Sequence, residues 1–156
     1  MDWHELLRMP EGEEVDYDPK MLDEVAPIIA ISETVRPVLV AVLRLPNGDD
    51  FLYSLLYDRK RNAYQKRGRY RRSSGDKKVF PPSAWLRPRS PEVVERDMEY
   101  TLRDLQQKAT ELDGTVSPIR LSPQATDDEL LQAFVDNGSF DVLRLNPDTH
   151  KAEKLK

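Results

Sequence analysis

Two apolar stretches joined by a tight-turn dipeptide constrain the fold of this chain more than any other feature. VLVAVLRL, residues 38–45, is rich in β-branched residues and apolar on both faces, as a central strand requires. Asn47-Gly48 comes next, and both residue types tolerate the positive φ angles of a hairpin turn. FLYSLLY, residues 51–57, then supplies the returning strand. The sequence therefore predicts a core built on an antiparallel hairpin.

The hairpin is expected to extend into a basic meander. AYQKRGRYRR, residues 63–72, is interpreted as a third, edge-like strand whose charge discourages pairing with other chains. SSGD then turns the chain, and KKVF, residues 77–80, begins a short fourth strand. PPSAWLRPRSP, residues 81–91, contains four prolines, so it is expected to link the sheet to a helical region rather than continue the sheet.

Helical periodicity begins after this linker. Ser90 is the expected N-cap and Pro91 the first helical position. The apolar stripe of the helix comprises Val94, Met98, Leu102, Leu105, Ala109 and Leu112, and Asp113-Gly114 ends it. A second helix begins at Thr126, where Glu129 completes a capping box. Its buried side is expected to comprise Leu130, Leu131, Phe134 and Val135. FDVLRLN, residues 140–146, is interpreted as a last strand, with the tail either pairing or fraying.

Strands grouped before helices favour an α+β fold over alternating βαβ units. We expect an antiparallel meander of about four strands packed against one long helix, then a short helix and a C-terminal strand or hairpin. Residues 1–33 are expected to form an acidic N-terminal extension with short helices at 3–9 and 20–25. Residues 34–156 are expected to form a single domain. Within it, 36–81 is the basic meander, 81–91 the Pro-rich linker and 91–146 the helices and last strand.

The residue inventory argues against catalysis and against membrane insertion. The chain has no cysteine, which excludes disulfides, thiolate metal sites and a cysteine nucleophile. Its two histidines, His4 and His150, lie at opposite ends without ligand-spaced neighbours. No phosphate-binding glycine loop or nucleophile elbow occurs. The N-terminus lacks a secretory pattern, and the apolar runs are too short to span a bilayer. We therefore expect a soluble, cytoplasmic, non-enzymatic protein without metal or cofactor and without membrane contact.

Charge is divided into blocks that the net value of −4 conceals. Residues 1–33 hold ten acidic and two basic side chains, which gives −8. Residues 34–90 hold fourteen basic and four acidic, which gives +10, and residues 91–156 hold eight basic and fourteen acidic, which gives −6. Blocks of this kind mark interaction surfaces or segments that neutralise one another.

The basic maximum is the stretch 57–78, with ten Lys or Arg in twenty-two residues. The predicted polyanion-binding residues are Arg59, Lys60, Arg61, Lys66, Arg67, Arg69, Arg71, Arg72, Lys77 and Lys78, and the predicted stacking residues are Tyr57, Tyr64 and Tyr70. Arginine makes forked contacts with phosphate, and tyrosine rings stack on unpaired bases. Near the turns the charges are expected to gather at one tip. A solvated hairpin without a partner explains the same composition.

These features support three functional interpretations. The leading one is a non-catalytic binding or regulatory module that engages a polyanion, either nucleic acid or an acidic protein surface, through the basic hairpin. The alternative is a structural or assembly component of a phage particle or multisubunit complex, self-associating through opposite charge blocks. An enzyme using scattered acidic and basic groups ranks third. Trp85 is interpreted either as a partner anchor or as a residue that pins the linker to the core.

Overall fold

The computed structural model of the protein describes residues 8–18, 28–80, 83–136 and 141–155. Its strands are β1 Glu14–Asp16, β2 Ile28–Ile31, β3 Val35–Arg44, β4 Asp50–Asp58, β5 Ala63–Arg71, β6 Lys77–Val79, β7 Thr115–Arg120, β8 Asp141–Asn146 and β9 Lys151–Lys154. Its helices are α1 Pro91–Leu112 and α2 Asp127–Asp136. The expected α+β class is confirmed: an antiparallel meander packs on the long helix, and a short helix and a C-terminal strand pair complete the chain.

The larger sheet has the strand order β6-β5-β4-β3-β7 and is antiparallel throughout. Strands β3 and β4 form its centre, and the turn between them contains Asn47-Gly48 as predicted. Gly48 has a φ of +91° and donates its N–H to the carbonyl of Leu45 at 3.0 Å. That conformation explains the glycine, because a side chain there would be strained.

Helix α1 covers one face of this sheet. Its cluster contains Val94, Met98 and Leu105 packed against Leu39, Ala41, Tyr53 and Leu55 of the two central strands. The predicted bounds and N-terminal Pro91 are confirmed, and Ser90 occupies the N-cap position although its side chain makes no capping bond. Leu112 departs from the expected stripe, since it is 49% exposed at the end of the helix.

The opposite face carries a second layer made of α2 and a smaller sheet. Phe134 and Leu130 of α2 are fully buried against Val40 and Val42 of β3, together with Val142 of β8. Thr126 and Glu129 form the predicted capping box, with each backbone N–H bound by the other's side chain. The central strands are thus apolar on both faces because both faces are covered.

The smaller sheet joins the two ends of the chain. Its order is β1-β9-β8-β2, with β2 parallel to β8 and the other pairs antiparallel. The tail therefore pairs rather than frays. Residues 14–16 and 28–31, which fall inside the expected N-terminal extension, are strands of this sheet, and β7 is a further strand absent from the prediction.

Some expectations concern parts of the chain outside the described residues. The predicted helix at 20–25 lies wholly there, and the one at 3–9 lies there except for its last two residues. Among the helices that the structure describes, none combines the length and apolar character needed to cross a bilayer.

Candidate polyanion-binding surface

Strand β5 distributes the predicted basic residues along its length instead of gathering them at one tip. The β4–β5 turn and the β5–β6 turn lie at opposite ends of this nine-residue strand, roughly 30 Å apart at about 3.3 Å per residue. Arg59, Lys60 and Arg61 belong to the first end, and Arg71, Arg72 and the β6 lysines belong to the second. The ten cations therefore form separate groups with different surroundings.

At the β5–β6 end, a single carboxylate pairs with two of the predicted arginines. Arg69 donates from Nη2 to Asp50 Oδ1 at 2.9 Å, and Arg71 donates from Nε to Asp50 Oδ2 at 3.0 Å. The side chains of Arg69 and Asp50 are only 9% and 8% exposed. Arg69 is thus part of the interior, and Arg71 shares the one negative charge of Asp50 with it.

The turn at this end is held by a second carboxylate, Asp49. It accepts hydrogen bonds from the Tyr70 hydroxyl and, at 2.9 Å, from the Ser73 backbone N–H. The hydrogen bond from Tyr70 is the main reason why the pKa of Asp49 lies below its usual range, and the same bond raises the pKa of Tyr70. Arg72 is exposed here, and the Lys78 ammonium lies 5.4 Å from the Phe80 ring centroid. The side chain of Lys77 is outside the part of the chain that the structure describes.

The three predicted stacking tyrosines all have partners within the chain. The rings of Tyr57 and Tyr64 pack at 4.8 Å between centroids, and the Tyr57 hydroxyl donates to Asn62 Oδ1 at 2.9 Å. Burial raises the pKa of Tyr64, and Tyr70 is bound to Asp49. These contacts give each ring a structural role.

The middle of β5 carries Lys66 and Arg67. Arg67 donates from Nε to Gln65 Oε1 at 2.9 Å, while Gln65 donates from Nε2 to the Ser83 carbonyl at 3.1 Å. Lys66 is exposed, and within the described part of the chain its ammonium has no ion-pair partner. Its backbone N–H and carbonyl are both bound to Ser83, at 2.9 and 3.0 Å.

At the β4–β5 end, Asp58 and Arg59 fix the turn. Asp58 Oδ1 accepts the backbone N–H groups of Lys60 at 2.9 Å and Arg61 at 3.3 Å. The guanidinium of Arg59 donates to the carbonyls of Pro123, at 3.0 and 2.7 Å, and Glu33, at 3.3 Å. Arg59 therefore ties this turn to two neighbouring loops, which leaves Lys60 and Arg61 as its outward charges.

The Pro-rich segment lies along β5 in addition to linking the sheet to α1. Leu86 and Tyr64 exchange backbone hydrogen bonds of 2.8 and 2.9 Å, in an isolated antiparallel bridge. The bridge brings Trp85 beside the β4–β5 turn, where the Arg61 guanidinium lies 5.2 Å from the centroid of the half-buried indole ring. Trp85 thus contacts the β4–β5 turn through a cation–π interaction and is only partly exposed.

Two exposed arginines of the same segment, Arg87 and Arg89, were missing from the predicted site. Their signal is the pattern W-L-R-P-R, residues 85–89, shortly after the basic run, and in the fold the Tyr64–Leu86 bridge brings this segment toward the β4–β5 turn. We use the name Trp85 surface for Lys60, Arg61, Trp85, Arg87 and Arg89. In the described chain, Lys60, Arg87 and Arg89 have no ion-pair partner, and Arg61 makes only a 3.5 Å contact with Asp58.

Neither a metal site among the described residues nor a similarity to known proteins gives further information about the Trp85 surface. The described residues contain no cluster of three or more His, Cys, Asp or Glu suited to a metal ion. His150 lies in the β8–β9 turn with its carbonyl bound by the Tyr17 N–H at 2.8 Å, and His4 falls outside the described residues. No family model, no curated protein and no solved structure matches the chain.

Proposed function

We propose that this protein is a non-catalytic binding module that engages a polyanion through the Trp85 surface. The observation that carries the proposal is the position of Arg61 over Trp85. Lys60 precedes Arg61 in the chain, Arg87 and Arg89 follow Trp85 by two and four residues, and all three are exposed. Exposed cations without an ion-pair partner in the described chain, close in sequence to this contact, suit a ligand with repeating phosphates.

The contrast between the two ends of β5 supports this choice of surface. At the β5–β6 end, Asp49 and Asp50 already bind Tyr70, Arg69 and Arg71, so a polyanion would have to displace internal bonds to engage either of these two arginines. At the Trp85 surface, the only carboxylate that contacts a cation among the described residues is Asp58, which is largely committed to backbone N–H groups of its own turn. Less internal compensation means more charge available to a partner.

A salt titration of binding to fluorescent single-stranded, duplex and RNA probes tests the proposal. With about four cations engaged, counterion release predicts a log–log slope of about −2.8 for single strands, and affinity falling roughly fifty-fold between 50 and 200 mM salt. Changing Lys60, Arg61, Arg87 and Arg89 together to Ala is expected to abolish most of this binding. The matched control changes Arg44, Arg96, Arg103 and Lys108, which are exposed elsewhere, to Ala.

Both quadruple variants lose the same net charge, so a general electrostatic effect lowers affinity equally in the two. Equal losses would therefore count against the Trp85 surface. Binding whose affinity does not change with salt would contradict the polyanion proposal as a whole. Light scattering at low and high salt separates the polyanion proposal from the assembly alternative. Self-association through opposite charges predicts a molecular mass in solution that falls as the salt concentration rises.

A further inference from the structure

The exposed apolar side chains of the protein are concentrated on the side of the larger sheet that α1 covers. Among the described residues, four large apolar side chains are more than a third exposed, and they are Phe80, Leu86, Tyr100 and Leu112. Tyr100 and Leu112 belong to α1, and Phe80 and Leu86 lie along the edge of β5. A concentration of exposed apolar groups on one side is typical of a surface that contacts another protein.

Both Phe80 and Leu86 point to the face of the sheet on which α1 packs. Directly paired residues of neighbouring strands share a face. Leu86 is paired with Tyr64, which packs against the α1 cluster. The Phe80 ring lies 5.9 Å, centroid to centroid, from the ring of Phe51, which packs against the same cluster. The two exposed side chains therefore border the α1 face of β5.

Between β5 and α1, this face carries two opposite charges. Lys66 of β5 and Asp97 of α1 both line a depression beside Leu86, and its volume of about 50 Å³ holds only a few water molecules. Both charged side chains are exposed, and neither makes an ion pair within the described chain. The depression is too small for a ligand, so the two charges are available to a partner that covers the surface.

These charges suit a second copy of the same chain. A two-fold axis sets residue i of one copy opposite residue j of the other, and j opposite i. With the axis between Lys66 and Asp97, each lysine faces the aspartate of the other copy. Leu86 and Tyr100 lie in the same contact, since Tyr100 follows Asp97 by about one turn of α1. A purely acidic or purely basic partner would instead place like charges face to face.

We infer that the protein forms a two-fold symmetric dimer through this face, in which Lys66 of each copy pairs with Asp97 of the other. The inference goes beyond the proposed function and does not depend on it, because neither residue belongs to the Trp85 surface. An interface with few apolar side chains per copy belongs to the small, transient class, so the monomer–dimer equilibrium shifts with protein concentration. Association stops at two chains because a two-fold contact closes on itself, unlike a head-to-tail assembly.

Charge reversal followed by mixing tests the pairing. Lys66→Glu leaves two acidic side chains at the contact of each copy, and Asp97→Lys leaves two basic ones. Each variant alone is expected to dimerise at least about tenfold more weakly than the wild type, because like charges face each other. A one-to-one mixture is expected to recover the dimer, which also shows that both variants are folded. Analytical ultracentrifugation over a concentration series up to about 0.5 mM measures the mass in each case.

Arg44→Glu and Asp128→Lys are the matched control. Asp128 lies on α2, and Arg44 is paired with Asp50, whose side chain alternates with that of Phe51 and so points away from α1. Both control residues are exposed. Each control variant alone is expected to dimerise as the wild type does, so a loss equal to that of Lys66→Glu counts against the proposed face.

The remaining outcomes are equally decisive. A wild-type mass of one chain throughout the concentration series overturns the inference, and a mass beyond two chains replaces the closed dimer with an open assembly. Single reversals that dimerise as the wild type, or a mixture that stays monomeric, overturn the pairing of Lys66 with Asp97. Amide chemical shifts give a second readout that needs no variant. The amides of Lys66, Leu86 and Asp97 are expected to shift with protein concentration, and shifts confined to other residues contradict the inference.

Discussion

At the scale of single residues, Asp127 joins three elements of the molecule. It accepts a 2.7 Å contact from Arg36 of β3 and another 2.7 Å contact from Arg144 of β8, and it lies in the first turn of α2. The Arg36 side chain is only 4% exposed and also donates to the carbonyls of Ser32 and Ala125, at 2.9 and 2.8 Å. Asp127 therefore balances a cation that is almost entirely removed from solvent.

Asp127→Ala is expected to lower the free energy of unfolding by about 3 kcal/mol, because removing one partner leaves a buried charge uncompensated. Asp128→Ala is the matched control: Asp128 is exposed in the same turn, has the same interaction with the helix dipole and makes no ion pair among the described residues. The control is expected to cost less than about 0.5 kcal/mol. Urea unfolding measures both, and similar losses in the two variants would contradict the role assigned to Asp127.

Ion pairs formed within the fold also limit how much of the candidate polyanion-binding surface can be predicted from the sequence. Composition marks the basic stretch, but it treats Arg69 and Lys60 alike. In the fold, Asp50 at the start of β4 pairs with Arg71 near the end of β5, which places one carboxylate beside two arginines. Whether a cation faces a partner or faces solvent depends on that register. Arg87 and Arg89 were missed for the related reason that tertiary contacts, the Tyr64–Leu86 bridge and the Ser83–Lys66 hydrogen bonds, bring their segment to β5.

At the scale of elements, the connection between α1 and β7 depends on a close backbone approach. Asp113 adopts a left-handed conformation with φ +55°, and Gly114 donates its N–H to the Ala109 carbonyl at 2.8 Å. A Cβ at Gly114 would lie 2.6 Å from the carbonyl oxygen of Arg44. The glycine is thus required by contact with β3 and not by its own φ angle.

Gly114→Ala is expected to destabilise the protein by about 1–3 kcal/mol, because backbone must move to relieve the clash. Thr115→Ala, at the exposed next position, is expected to cost much less, since the β7 backbone bonds are kept. Thermal unfolding of both variants checks the difference. An unchanged thermal unfolding midpoint for Gly114→Ala would contradict this prediction, because it would show that the α1–β7 connection accommodates the added methyl group without loss of stability.

The elements that the sequence predicts are those with local signals. The β3–β4 hairpin has Asn47-Gly48, and α2 has the Thr126 capping box. Strand β7 has no such signal: TVSPIR contains a proline and only weak alternation, and it becomes a strand by pairing with β3. Strand β1 has three residues and pairs with β9 at the other end of the chain. Such strands depend on partners that are distant in sequence.

At the scale of the whole molecule, ion pairs connect all three charge blocks of the sequence inside one fold. Asp16 of the N-terminal block pairs at 2.7 Å with Lys151, a cation of the C-terminal block that is itself acidic overall, and their hydrogen bond lowers the pKa of Asp16. Arg36 of the basic block pairs with Asp127 of the C-terminal block. Opposite blocks therefore do not require a second copy of the chain as partner, although they are compatible with one.

The smaller sheet makes the chain ends mutually dependent, since β9 lies between β1 and β8. Ala152 of β9 is fully buried, and Lys154 exchanges backbone hydrogen bonds with residues 12 and 13, at 2.7 and 3.0 Å. Deleting residues 151–156 is expected to cost at least about 2 kcal/mol, from several lost hydrogen bonds and lost apolar burial. The deletion also leaves β1 without its neighbour in the sheet. The Gly12 amide and the β1 amides are therefore expected to lose protection from hydrogen exchange, while the β3 and β4 amides remain the more strongly protected.

Deleting Lys156 alone keeps β9 and serves as the control. Slow exchange in β1 and an unchanged urea midpoint in the larger deletion would mean that the ends of the chain are held together by something other than β9.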